Sequence, residues 1–215
     1  MSSKNKEYGR RIRLTPEEEA LVLNHRTTSN VGIIGDTHEP FCHPDYRSFC
    51  YEVFNRFGCN EIVHIGDECD NAALSYHESE LEMPNAVREA EQAQKAMEKW
   101  YETFPNVKVC VGNHSALPFR QATTAGIPKR YLKTYEEIWN APKGWKWQME
   151  WEIDNVLYVH GTGSSGLSGA RNRAVANRQS TVIGHSHSFG GVSYMASRND
   201  IIFGMTVGCG IDVDH

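Results

Sequence analysis

Residues 156–166 read VLYVHGTGSSG, and how this stretch is read decides the fold. A β-branched and aromatic run ends at His160. Gly161, Gly163 and Gly166 then follow at the G-x-G-x-x-G spacing of a dinucleotide-binding turn. Such a turn needs a carboxylate at the end of the next strand, about 20 residues on, to hold a ribose hydroxyl. Here the next apolar run, Thr181-Val182-Ile183, ends in Gly184-His185-Ser186-His187, without an acid. A dinucleotide turn also opens its fold, whereas this one comes after several other elements. The glycines therefore read as a pliant loop, and His160, where the strand stops, becomes the residue of interest. Ser164 and Ser165 lack a G-x-S-x-G elbow and are rejected as nucleophiles.

Other apolar runs end in the same way. Residues 31–34 lead into Gly35-Asp36-Thr37-His38, and residues 62–65 into Gly66-Asp67-Glu68-Cys69-Asp70. Residues 107–111 lead into Gly112-Asn113-His114. Each strand end delivers Asp, Asn or His, nearly always beside a glycine that lets the chain turn sharply. Ligands of α/β sheets gather at the carboxyl ends of strands. Carboxylate, amide and imidazole, with no cysteine, are hard-to-borderline donors suited to divalent metals. Asp36, His38, Asp67, Asn113, His160, His185 and His187 are too many for one tetrahedral ion. They suit a pair of ions sharing a bridging carboxylate.

The intervening elements support a sheet covered by helices. Thr15-Pro16-Glu17-Glu18 combines an N-cap, a first-turn proline and a capping-box acid, predicting a helix over 15–23. Apolar residues at helical spacing predict a second helix over 46–57, closed by Gly58, and a third spans 86–104. Strand–helix–strand order is that of an α/β fold. In the second half, Trp145, Trp147, Met149 and Trp151 alternate with polar residues and predict one half-buried strand. Asp154-Asn155 turns that strand into 156–160 as a hairpin. Further strands are expected over 181–184, 192–196 and 201–207, the last two joined by residues 197–200. Residues 1–13 read as a flexible basic tail and 14–215 as a single domain.

Hydrophobic residues make up 40% and charged residues 23% of 215, ordinary values for a chain with a core. A net charge of -5 disfavours coating nucleic acid through the overall field, but leaves a local basic groove open. The six cysteines have neither C-x-x-C nor zinc-finger spacing and are expected as free thiols. MSSKNKEYGRRIR carries no apolar stretch behind its charges, and no run reaches the ~20 apolar residues of a membrane span. A cytoplasmic protein without a membrane partner is expected. His77, Glu78, Glu80 and Glu82 fit no motif and read as a solvated acidic loop.

The ordered set D-x-H at 36–38, G-D-x-x-D at 66–70, G-N-H at 112–114, H-G at 160–161 and G-H-x-H at 184–187 resembles the calcineurin-like metallophosphoesterase superfamily. The likeness runs from about Val31 to the C-terminus. It implies a four-layered α/β/β/α sandwich, two mixed β-sheets flanked by helices, with a dinuclear metal centre on one edge. By position, Asp36, His38 and His187 would hold one ion, and Asn113, His160 and His185 the other, with Asp67 bridging. His114 would be the catalytic residue that protonates the leaving oxygen, and Asp70 the residue that orients it. Ser115 departs from the Glu or Asp that many members carry after G-N-H.

The activity so implied is metal-dependent hydrolysis of phosphodiester bonds by a hydroxide bridging two metals. A small nuclease or a nucleotide phosphodiesterase would act in this way. A phosphomonoesterase acting on nucleotides or phosphoproteins is the nearest alternative, and a catalytically weak scaffold of the same fold is another. Two Mn2+ ions are the expected cofactors, although Fe, Zn and Ni suit the same donors. The partner expected is a phosphate ester, nucleic acid or nucleotide. Arg120, Arg171 and Arg173 are candidate substrate contacts, and Lys129, Arg130 and Lys133 form a further basic cluster. Trp145, Trp147 and Trp151 are expected in the core rather than stacked on bases.

Overall fold

The computed structural model describes residues 15–17, 29–75, 85–164 and 166–212, which two β-sheets organise. Strands β1 (Val31–Ile34), β2 (Glu61–His64), β3 (Val107–Cys110) and β4 (Trp145–Gln148) form the first sheet in that order, all parallel. Parallel neighbours need crossovers. These are α1 (Tyr46–Arg56), α2 (Ala86–Thr103), and, between β3 and β4, α3 (Leu117–Thr124) and α4 (Tyr135–Ile138). The second sheet holds β5 (Glu150–Ile153), β6 (Val156–Val159), β7 (Ser180–Ile183), β8 (Gly191–Ala196) and β9 (Ile201–Thr206). Its order is β5-β6-β7-β9-β8, with parallel and antiparallel pairs, and α5 (Gly169–Asn177) links β6 to β7.

The period-2 alternation of each strand sorts its side chains into two cores. Ile34, Ile62, Val107, Val109, Trp145 and Trp147 meet Phe54, Met97, Trp100 and Phe104 on the helical side. Val63, Ile65 and Cys110 face the other way and meet Tyr158, Val182, Phe203 and Met205 of the second sheet. Beyond that sheet lies α5, packed so closely on β9 that a Cβ on Gly204 would come within 2.5 Å of the Ala170 backbone. Two sheets flanked by helices match the expected α/β class, with the first sheet all parallel and only the second mixed.

The stretch from Trp145 to Trp151 departs from the single strand expected of it. Strand β4 ends at Gln148, Met149 is exposed, and β5 begins at Glu150 in the other sheet. Trp145 and Trp147 pack on the helical side, while Trp151 packs between the sheets and donates its Nε1–H to the Val109 carbonyl at 3.0 Å. The alternation of tryptophans runs unbroken across the switch, so periodicity carried no sign of it. The hairpin expected at Asp154-Asn155 is present, with both residues at positive φ (51° and 62°) as a type I′ turn requires. Of the helix expected over 15–23 only residues 15–17 are described, with Pro16 and Glu17 helical. The basic tail and the acidic residues 77–82 lie outside the described residues. All six cysteines are free thiols, and no described helix is long and apolar enough to cross a membrane.

Trp145 is fully buried, and its Nε1–H donates to the Phe104 carbonyl at 2.7 Å. Trp145→Ala should therefore lower unfolding stability by about 3–5 kcal/mol through the cavity and the stranded carbonyl. Urea denaturation checks this as a lower midpoint at unchanged slope. A loss under 1 kcal/mol would show that the helical core closes over the gap.

Candidate metal centre

The carboxyl ends of β1, β2, β3, β6 and β7 converge on one region. Three of the residues delivered there, His38, Asp67 and His185, sit at positive φ (48°, 50° and 65°). Asp and His tolerate this conformation better than most residues, and strain of this kind collects at functional sites. The glycines of the motifs divide into two physical classes. Gly66 and Gly161 have φ of 114° and 101° and supply the sharp turns that were expected. Gly112 and Gly184 are needed instead for room. A Cβ on Gly112 would stand 2.0 Å from Asp67 Oδ1, and one on Gly184 would stand 2.3 Å from Asp36 Oδ1.

Donor atoms of Asp36, His38 and His187 lie within 4.8 Å of one another, as do those of Asp67, His160 and His185, and those of His38, Asp67 and His114. Asn113 Oδ1 joins the second group, 2.9 Å from His160 Nε2. Asp67 and His38 are common to two groups. The backbone completes the cradle: His114 N–H and Ser115 N–H donate to Asp67 Oδ1 at 2.8 and 3.2 Å, and His185 N–H donates to Asp36 Oδ2 at 2.9 Å.

Among the described residues, Asp36 Oδ1, His38 Nε2 and Asp67 Oδ2 are buried without a hydrogen-bond partner. Leaving a buried polar atom unpaired costs about 1–3 kcal/mol, so three such atoms within adjoining donor groups call for partners there. The tautomers agree. His160 Nδ1 is 3.2 Å from the Ile65 carbonyl and His38 Nδ1 is 2.5 Å from Asp70 Oδ1, contacts that fix the N–H on Nδ1 in each neutral ring. The lone pair of His160 Nε2 then faces Asp67 Oδ2 at 3.0 Å and Asn113 Oδ1. Electron pairs aimed at one another in this way call for a proton or a metal cation between them, and the donor set fits divalent metals.

Asp70 does more than orient His114, the role expected of it. Its Oδ1 lies 3.1 Å from His114 Nδ1, its backbone carbonyl lies 2.6 Å from the same nitrogen, and Oδ1 also holds His38. Three supporting residues escaped the sequence reading. His64 is buried, donates to Thr37 Oγ1 at 3.0 Å and accepts from Gly66 N–H. Glu68 accepts from Ser115 Oγ at 2.6 Å and from Trp147 Nε1 at 3.1 Å. Ser115 thus takes its place in the site as a partner of a buried acid. Glu89 accepts from Ala72 N–H and Ala73 N–H at 2.7 and 2.9 Å, pinning the turn behind Asp70. Glu89 was legible in principle, since it shares the apolar stripe of Ala93, Met97 and Trp100 on α2, where a solvated acid would not stand.

Burial works to raise Asp67, but the hydrogen bond and charge of His160, with His114 and His38 behind it, hold this carboxyl down at about 2. Asp70 likewise overcomes burial through His114 and His38 and lies well below the usual carboxylate range. Burial would lower His114, yet its bond to Asp70 and the charge of Asp67 lift it to about 9. His160 is raised by Asp67 against its burial, whereas burial and His160 lower His185. Burial drives His64 down to about 4, leaving it neutral. The basic candidates lie further out. Arg173 Nη1 reaches Ser164 Oγ at 3.3 Å in the loop after His160. Arg120 and Arg171 stand on the exposed surfaces of α3 and α5 rather than within the buried ligand set.

A histidine raised on folding stabilises the fold below its unfolded pKa and loses that contribution as pH climbs through the folded one. For His114 the window runs from 6.5 to about 9. Metal-stripped protein should therefore lose on the order of 2 kcal/mol of stability between pH 6.5 and 10 that His114→Gln does not lose. Thermal melts of the two proteins across that range check this. Parallel profiles would remove the His114–Asp70 ion pair from the account.

The model of the calcineurin-like phosphoesterase family matches residues 29–200. No curated protein matches the chain. A solved structure of a Pseudomonas putida nuclease MPE is similar at 10% sequence identity and a TM-score of 0.37, covering 86% of this chain and 74% of that one. That likeness is too faint to add to what the residues themselves say. The family match takes in all five strand ends and most of the 215 residues, and the chain belongs to the calcineurin-like phosphoesterase family.

Proposed function

We propose that this metal-dependent phosphoesterase cleaves phosphodiesters, with Asp36, His38 and His187 holding one divalent ion and Asn113, His160 and His185 the other. Asp67 serves both. The observation that carries this reading is that Asp36 Oδ1, His38 Nε2 and Asp67 Oδ2, buried and unpaired, belong to residues of adjoining donor groups that share His38. When bound, the ions would supply Lewis acidity and a water activated at neutral pH, and Mn2+ is the ion we favour.

The chain's own residues do the rest. Asp70 and the Ile65 carbonyl fix the rings of His38 and His160, so that each presents Nε2 to the centre. His64 stays neutral and braces the Thr37 turn. His114 is held by Asp70, which raises it, and its side chain keeps about 29% of its surface open to solvent. It is therefore placed to pass a proton to a departing alkoxide, the step that a poor leaving group needs. Asp36, Asp67 and Asp70 gather three carboxylates here.

Asp67→Asn should lose stoichiometric metal by elemental analysis, and about 10³-fold or more in kcat/KM on a bis-aryl phosphate diester. Retained turnover would end the shared-carboxylate reading. His114→Ala should keep its metal, losing about 10²-fold on a nucleotide diester with an alkoxide leaving group and far less on the aryl diester. Equal losses on both would remove the proton-donor role. Faster cleavage of aryl monophosphate than of the diester by the unaltered protein would replace this reading with the monoesterase one.

A further inference from the structure

A cleft of about 540 Å³ opens beside the metal centre, and none of the roles above uses it. Phe119, Tyr135, Trp147 and Met149 line it, with Lys129 and Lys133 on its walls. Its place in the fold relates it to the centre. Strands β3 and β4 run parallel, and Val111 N–H donates to the Gln148 carbonyl at 2.9 Å, so both strands end on the same edge of the sheet. Val111 lines the cleft and leads directly into Gly112-Asn113-His114. From the other side, Trp147 reaches Glu68, the neighbour of Asp67. The cleft is thus a continuation of the same sheet edge, one strand outward.

Its lining is aromatic and graded. Tyr135 lies nearly parallel to Trp147 (14° between planes, centroids 6.4 Å apart), and Phe119 leans on Tyr135 at 4.6 Å. The exposed Met149 and Gln148 complete this wall. The charged side chains of the lining are two lysines against one acid, Glu136. Flat apolar rings flanked by excess positive charge match a nucleobase with its phosphate, since aromatic faces accept any base and lysines take the backbone charge. A purely apolar partner would gain nothing from the lysines, and an inorganic anion nothing from the rings.

We infer that this cleft seats a nucleobase of a single nucleic-acid strand, with Lys129 and Lys133 on its phosphates, next to the diester presented to the metal centre. The inference deepens the phosphodiesterase reading and rests on it for the identity of the strand's scissile group. It assigns work to the basic cluster at residues 129–133, and it moves Trp147 from a purely structural residue to the floor of a binding site.

The test is binding to the protein as purified, with 5′-phosphorylated, phosphorothioate-linked trithymidylate as a cleavage-resistant probe and tryptophan fluorescence as the readout. The trinucleotide should quench fluorescence and bind about tenfold tighter than an abasic strand of the same length, because stacking is lost from the latter. Lys129→Ala/Lys133→Ala, two exposed positions, should weaken trinucleotide binding about tenfold and flatten the slope of log Kd against log salt by about 1.4, near 0.7 per phosphate contact. Tyr135→Leu should remove the preference for bases over the abasic strand, with circular dichroism verifying the fold. Equal affinity for abasic and natural strands, or an unaltered salt slope in the lysine variant, would overturn the inference. Hydrolysis of the bis-aryl diester by the unaltered protein is scored separately. Its absence would sink the phosphodiesterase reading while the binding comparison still decided the cleft.

Discussion

The structure turns on one buried carboxylate. Asp67 has no solvent exposure, and an isolated charge in such a place would be prohibitive. It is tolerated because two backbone N–H groups from the turn after β3 donate to Oδ1, and because His160, on the second sheet, faces Oδ2. One side chain from the turn after β2 therefore ties together the ends of β3 and β6. Gly112 has to be glycine for the turn to come that near, and Gly66 has to take a left-handed turn to aim the carboxylate inward. Removing any of these terms leaves a naked charge in the core.

Exceptions to the local rules gather at the site. Elsewhere among the described residues, apolar residues alternate into two cores and buried side-chain polar atoms find partners, Thr206 Oγ1 excepted. At the strand ends, non-glycine residues adopt positive φ, histidines present lone pairs toward carboxylates, and buried oxygens stand unpaired. A fold that is otherwise consistent across levels concentrates such exceptions where it has work to do. Asp70 and Glu89 keep the exceptions in place: Glu89 holds the turn that carries Asp70, and Asp70 holds two histidines.

Much of this was legible in the residues. Short apolar runs, each followed by a glycine and then Asp, Asn or His, mark strands that end at a common edge, because a period-2 pattern and a turn signal are local properties. The hairpin at Asp154-Asn155 was legible for the same reason. What stayed hidden depends on long-range placement. Alternating tryptophans look the same whether or not the chain changes sheets at Met149, so β4 and β5 read as one strand. The role of Gly112 could not be told from that of a turn glycine, since the atom it avoids belongs to a residue 45 positions away on the chain (67 to 112). Glu68 and His64 read as ordinary polar residues because their partners, Trp147, Ser115 and Thr37, are contributed by other strand ends.

The crossing at Met149 has a further consequence. It leaves the proposed metal donors divided between two separately hydrogen-bonded sheets, with Asp36 and His187 in contact across 151 residues of chain. A cation held by both halves acts as a rivet through the seam between them, and by mass action its abundance adds directly to the stability of the docked state. Cellular metal supply would then govern how long each copy of this chain survives, as well as how fast it works.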